Sequence, residues 1–374
     1  MVIENNKKTL AIFLVLLFAV LIGFIILSLN LTGHSISNKE SIKIGAVFHL
    51  TGPGSFWGEG EKNAVILAID KANAKGGVNG KQIELIIEDS KTDFQATSNS
   101  IKKLIEIDNT KVIIGPTWFG QIASPLAEQY KTLIVSPSAG VVPKPSSYFF
   151  DLWPTEKQEV TPVINFMQEK GIRKVVLIYS LNDFTQSVRS NFVEQAKTKD
   201  IDIVREFAVN PGESDFRTII AQIKELNVDA IYATFAFYPS QGAFSKQAKE
   251  LNLNLTVYSS SGTEIPDLLK AYPEIEGTIY GYISINQGEL DFNSEYIERF
   301  NSYPSPSSSY AYDAANLIID ALKADKNTPE KISSYLHTIN YQGISNTISF
   351  NNEGRISNKE FVIKTVKNGQ FVIY

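Results

Sequence analysis

The chain has 374 residues, 43% hydrophobic and 20% charged, an ordinary globular balance with room for about two domains. Its net charge of −5 leaves no broad basic face for nucleic acid. The absence of cysteine excludes disulfides, thiolate metal sites, thiol nucleophiles and a lipid-bearing N-terminal cysteine. His34, His49 and His337 lack ligand-type spacing, so neither a metal nor a cofactor is expected.

In chain order, Lys7 and Lys8 precede LAIFLVLLFAVLIGFIILSL, residues 10–29, where nothing is charged. As a helix this run would span roughly 30 Å, the thickness of a bilayer core. We expect an uncleaved single-pass anchor in the cell membrane. The competing reading is a cleaved signal peptide, for which a weak small-x-small site exists at 35–37. In both cases the two lysines keep residues 1–9 in the cytoplasm and the body outside, with 30–41 as a tether.

From Ile42 the runs IKIGAVF, QIELIIED, KVIIGPT and LIVSPSA alternate with the amphipathic EKNAVILAIDKANAK, DFQATSNSIKKLIEI and IASPLAEQYK. Short aliphatic runs bounded by turn residues predict buried parallel strands, and the longer segments predict covering helices. In the first helix Ala64, Leu67, Ala68 and Ala72 share a face, while Glu61, Lys62 and Lys75 are expected to reach water. Asp93 stands where an N-cap would open the second helix. After YFFDLWPTEKQE the alternation restarts with KVVLIYS, DIVREFAV, AIYATFAF and LTVYSSS. Two such blocks predict an α/β protein of two doubly wound Rossmann-like lobes. The texture breaks between blocks fall near 152–156, 281–285 and 343–350. The last stretch, EFVIKTVKNGQFVIY, is a hairpin by its Asn368-Gly369 turn and should extend a sheet edge.

The loop HLTGPGSFWGEG has glycines at 52, 54 and 58, one residue off the dinucleotide spacing, and Trp57 adds bulk where a pyrophosphate needs close backbone approach. KGGVNGKQ lacks the hydroxyl residue after lysine and ends a helix, so it is no P-loop. VSPSAG and YSSSGT contain serines without a nucleophile elbow or a histidine base. Glu88 and Asp89 are adjacent on a strand and point to opposite faces, which excludes a shared catalytic pair. No enzyme is expected.

Taken in order, IKIGAVFHLTGPGSFWGEGEKNAVILAIDKANAKGGVNGKQIELIIEDSKTD, VIIGPTWFGQIASPLAEQY, LIVSPSAG, PGESDFRTIIAQIKELNVDAIYATFAFYPSQGAFSKQAKELNL, AYDAANLIIDALKA and YQGISNTISFNNEGR resemble the leucine/isoleucine/valine-binding protein family. These are type I periplasmic binding proteins that serve ABC importers. The resemblance covers nearly all of 42–374. It implies two lobes, 42–152 with 285–343 and 153–284 with 344–374, joined by three crossovers at those texture breaks, a small-molecule ligand in the cleft between them, ABC permease subunits as partners, and a monomer.

It also implies a site, and this chain departs from it. Trp57 matches an aromatic of the first loop that contacts ligand. Trp118 and Phe119 stand where a serine hydroxyl is common, Gly140 where a threonine would add another, and Phe184 where the second lobe has a tyrosine. The acid expected for a ligand ammonium aligns with Ser261, with Glu264 the nearest carboxylate. Ser136, Ser138 and the backbone of Ser138, Ala139 and Gly140 remain to hold a carboxylate or amide. Trp57, Trp118, Phe119, Phe184, Phe237 and Tyr238 would make an aromatic wall, with Phe235 in the core. An ammonium buried without a partner costs several kcal/mol, on the order of that for any isolated charge. The expected ligand is therefore apolar or aromatic with one hydrogen-bonding end, and not a free branched-chain amino acid. The alternative function is a sensor of the same fold acting with a partner receptor.

Overall fold

The computed structural model describes residues 41–284, 287–357 and 359–374. The expected anchor and tether lie outside them, and among the described residues no helix is long and apolar enough to cross a membrane.

Strand β1 (Ile42–Phe48) pairs in parallel with β2 (Ile83–Asp89) on one side and β3 (Val112–Ile114) on the other. Adding β4 (Leu133–Ser136) and β5 (Phe149–Asp151) gives a parallel sheet of order β2-β1-β3-β4-β5. Alternation along β1 feeds both faces. Ile44, Ala46 and Phe48 pack under helices Ser55–Ala74 and Ser308–Lys323, whereas Val47 packs under Phe94–Glu106 and Gly120–Tyr130. A sheet covered on both faces needs such near-continuous apolar strands. Asp93 caps its helix by accepting from Ala96 N at 2.8 Å.

The second sheet is built from β6 (Lys174–Ser180), β7 (Asp202–Val209), β8 (Ala230–Thr234), β9 (Thr256–Ser259) and β10 (Ile279–Ile283). Helices Glu156–Glu169 and Asp183–Lys197 cover one face, and Arg217–Lys224 and Tyr238–Glu250 the other. A short ribbon, β11 (Tyr341–Gly343) with β12 (Asn346–Ile348), precedes the C-terminal hairpin of β13 (Phe361–Lys367) and β14 (Gln370–Ile373). The hairpin joins the sheet antiparallel to β10, giving β14-β13-β10-β9-β8-β6-β7. Asn368 and Gly369 both take positive φ, 54° and 68°, which matches the right-handed strand twist.

The chain leaves the first lobe after β5. It returns from β10 into helix Gln287–Phe300, whose Phe292 and Tyr296 belong to the first core. The final crossing comes later than the expected 343–350. Residues 344–356, assigned above to the second lobe, pack with the first through Ile344, Ile348, Phe350 and Ile356. The cause is Asp313 of the AYDAA motif. Its buried carboxylate accepts from Ile344 N at 3.0 Å, Ser345 N at 2.8 Å and Ser345 Oγ at 2.6 Å, holding the turn on the first lobe. Phe56 of the first lobe packs against the Ile265, Leu268 and Tyr280 cluster of the second.

Candidate functional site

Between the lobes, at the carboxyl ends of β1, β3, β4, β6, β8 and β9, lies a cavity of about 320 Å³. Ligands of open α/β sheets sit outside such strand ends. The first loop turns tightly there, because a Cβ on Gly58 would stand 2.2 Å from His49 O. Its glycine serves close packing, and Trp57 faces the cavity.

The first lobe supplies Trp57, Phe94, Trp118, Phe119 and Trp153 to the lining. Trp57 meets Trp118 at 6.0 Å and Trp153 at 5.5 Å between ring centroids, and Phe94 stacks on Phe119 at 4.2 Å. Trp118 and Phe119 both lie in the left-handed region, φ 54° and 53°. That backbone costs an L-residue roughly 1–2 kcal/mol. It is held by Trp118 N donating to Ser138 O at 3.0 Å and Gly120 N to Ala139 O at 2.9 Å. His49 supports both rings from behind, with centroids at 5.2 and 5.1 Å. Burial pushes its imidazole down to about 3, so it is a neutral prop.

The second lobe brings Asn182, Asp183, Phe184 and Gln186 from the end of β6, Phe235 and Tyr238 from that of β8, and Gln241 and Ser261. Across the mouth, Gln121 Nε2 of the first lobe donates to Asp183 Oδ2 of the second at 2.6 Å.

Behind each wall sits a buried glutamate. Glu61, expected to reach water, is fully buried and accepts from Thr117 Oγ1 at 2.5 Å, Ser138 Oγ at 2.5 Å and Ser307 Oγ at 2.6 Å. Burial pushes its carboxyl up to about 7 against the pull of those hydroxyls. In the second lobe Glu159 accepts from Ser261 N at 2.6 Å, and burial likewise raises it to about 7. Asp151 accepts from Ala139 N at 3.1 Å and Trp153 N at 3.0 Å and pairs with Arg355, whose Nη1 donates to Gly140 O at 3.0 Å. This buried pair holds the floor of the site.

Of the residues expected from sequence, the cavity brings together Trp57, Trp118, Phe119, Ser138, Ala139, Gly140, Phe184, Tyr238 and Ser261. Three stand elsewhere. Ser136 lies beneath the loop, donating its hydroxyl to Pro116 O at 2.7 Å. Phe237 falls outside the lining between Ala236 and Tyr238. Glu264 pairs with Lys364 and accepts from Tyr280 Oη at 2.7 Å, so it is no partner for a ligand ammonium. Phe235, expected in the core, belongs to the core and also edges the cavity. Sequence reasoning missed Phe94, Trp153 and the polar rim. Their signal was a place in the first residues after a strand end. Glu88 pairs with Lys103 at 2.6 Å while Asp89 binds the backbone of Leu50, so the two share no site.

A cavity between two doubly wound lobes, walled by aromatic rings and edged by a few polar side chains, has the form of a small-molecule binding site. The sequence profile of the periplasmic binding protein family matches residues 41–370, and the chain belongs to that family of non-enzymatic solute binders. The Leu/Ile/Val-binding protein homolog 2 of Brucella abortus (strain 2308) is 25% identical over 342 residues, 88% of this chain and 91% of its own. Among solved structures, the branched-chain amino acid transporter substrate binding protein LivJ from Streptococcus pneumoniae, in complex with isoleucine, has a TM-score of 0.81 at 23% identity, covering 89% of this chain and 98% of its own. An ABC transporter solute binding protein from Rhodopseudomonas palustris BisB5, in complex with 3,4-dihydroxy benzoic acid, has a TM-score of 0.79 at 24% identity, covering 88% and 95%.

Proposed function

We propose that this chain is an extracytoplasmic, membrane-tethered solute-binding protein that captures a small ligand in the interlobe cavity and presents it to an ABC permease. The ligand has an apolar or aromatic body and one hydrogen-bonding end, and it is not a free branched-chain amino acid. One observation carries this: five aromatic side chains of the first lobe and three of the second surround a cavity whose lining carboxylate, Asp183, is exposed on the rim and already accepts from Gln121. A ring stacked there gains its burial plus roughly 0.5–1.5 kcal/mol of aromatic geometry. Proteins of this fold hold both isoleucine and benzoates, so the scaffold accommodates either chemistry.

Calorimetry with leucine, 4-methylpentanoate, benzoate and benzamide tests the ligand class. Ring-bearing compounds should bind and leucine should not. Sub-micromolar leucine binding, tighter than every ring-bearing compound, overturns it. The tether is tested by N-terminal sequencing of the mature protein, and a start near Asn38 refutes it.

A further inference from the structure

Away from the cleft, the connection from helix Tyr238–Glu250 to β9 carries a pattern that ligand binding does not use. Residues 251–257 read LNLNLTV, and their burial alternates along the whole run. Leu251, Leu253, Leu255 and Val257 pack against the core cluster of Phe216, Ile231 and Phe244. Asn252, Asn254 and Thr256, between them, are exposed. Such alternation belongs to extended chain, where residues i and i+2 share a face. Asn254 and Thr256 therefore project together into solvent, while Leu255 anchors the backbone beneath them.

Asn254-Leu255-Thr256 is an N-x-T triplet without proline at its centre, the acceptor sequence for an N-linked glycan. The triplet recurs at 30–32, outside the described residues, and every other asparagine lacks a serine or threonine two positions on. A triplet is an acceptor only where its amide is free to react. Several asparagines of this chain are already engaged: Asn73 bonds the backbone of Ile83, Asn182 caps its helix, and Asn346 donates to Ser284 O. Asn254 is not. Among the described residues neither its amide nor the Thr256 hydroxyl has a hydrogen-bond partner. The place in the fold is open as well. Thr256 begins β9 in register with Ala230 at the start of β8, whereas the cavity lies at the opposite, carboxyl ends of these strands. Bulk added at Asn254 leaves the mouth of the cavity clear.

We propose that Asn254 is an N-glycosylation site that takes an oligosaccharide from a lipid phosphate carrier outside the cytoplasmic membrane. This rests on the extracytoplasmic placement proposed above. In the transfer, Asn254 Nδ2 bonds to the anomeric carbon of the first sugar. The bond from that carbon to the phosphate oxygen breaks, its electron pair leaves with the lipid phosphate, and one amide proton passes to a base of the transferase. An amide nitrogen is a weak nucleophile, because its lone pair is delocalised into the carbonyl. The enzyme must therefore grip the amide, and the Thr256 hydroxyl on the same face gives it a handle.

Mass spectrometry of the full chain, isolated from membranes of cells that produce it naturally, tests this. The tryptic peptide 250–270 should carry a glycan mass on Asn254. That mass should vanish in Asn254→Gln and in Thr256→Val, return in Thr256→Ser, and persist in Asn30→Gln. Both side chains are exposed and unpartnered, so the variants should fold, and the peptide mass of the natural chain decides alone if they do not. Peptide 250–270 found only at its unmodified mass, or a glycan that depends on Asn30 alone, overturns the proposal. Protease added to cells stripped to the cytoplasmic membrane separates the two levels of inference. A chain digested there with peptide 250–270 unmodified loses the glycan and keeps its extracytoplasmic placement. A chain digested only after the cells are broken loses both.

Discussion

The first lobe meets the cavity with Trp57, Phe94, Trp118, Phe119 and Trp153, rings that touch one another and rest on a strained turn pinned from below. The second meets it with fewer rings, Phe184, Phe235 and Tyr238, set among Asn182, Asp183, Gln186 and Gln241. Both layer helices on a sheet of parallel strands, which in the second lobe is extended by the antiparallel hairpin. The difference lies in what each side is built to do. A packed aromatic floor is preorganised and favours a ligand's apolar body. The polar rim stands on helix first turns and, in the proposed function, would meet the ligand's end groups.

The largest effect should come from the ion pair under the floor. Asp151 and Arg355 have side chains 0% and 9% exposed and stand 3.1 Å apart. Arg355→Ala leaves that carboxylate unpaired and should cost about 3–5 kcal/mol in urea unfolding. Lys364→Ala in the second lobe should cost clearly less, because Glu264 keeps Tyr280 Oη and is 15% exposed. Equal losses would break the contrast between a rigid floor and a more forgiving partner.

Next in size is a pH effect. The Glu159 carboxyl is raised from 4.5 to about 7 in the folded state. Its protonated form therefore favours folding, and that contribution is full below 4.5 and lost as pH rises to 7. Relative to Glu159→Gln, the natural chain should lose about 3 kcal/mol across this window. Glu61→Gln should give a similar difference curve. In the first lobe, however, His49 opposes the trend, since its share is full above 6.5 and is lost as pH falls toward 3. His49→Asn should steepen the natural decline between pH 4.5 and 6.5. An unchanged profile would mean that these groups do not titrate as placed.

Smaller effects probe the floor and the rim. Trp118→Gly should be more stable than Trp118→Ala by about 1 kcal/mol, because glycine adopts positive φ freely. Gln121→Ala removes the bond to Asp183 and should loosen closure by about 0.5–1.5 kcal/mol. Scattering of the ligand-free protein would then show a larger radius of gyration, and an unchanged radius would remove Gln121 as a latch.

Most strands and helices were legible because their periodicity is local: IKIGAVF can only be a buried strand, and EKNAVILAIDKANAK only a half-buried helix. Trp57, Trp118, Phe119 and Phe184 were legible through the family resemblance, which matched them to loop and first-turn positions beyond strand ends. Phe237 failed by one position, since at the start of a helix a single step rotates the side chain away. Glu61 was illegible. Its charge argued for water although it precedes Ala64 and Ala68 by three and seven residues and so shares their buried face, and the hydroxyls that donate to it there, Thr117, Ser138 and Ser307, lie far away in sequence. The 344–356 segment was misplaced because Asp313, a contact across the fold, decides where it packs.

That helix Ser308–Lys323 covers helix Ser55–Ala74 in the first core also bears on how the protein is made. A ribosome delivers the strands of the first sheet early, but their covering helix comes only after the whole of 156–283 has followed. Until then the growing chain carries an uncovered apolar face. Its first lobe must wait, unfolded or in a holding chaperone, while the second lobe is completed up to its last hairpin.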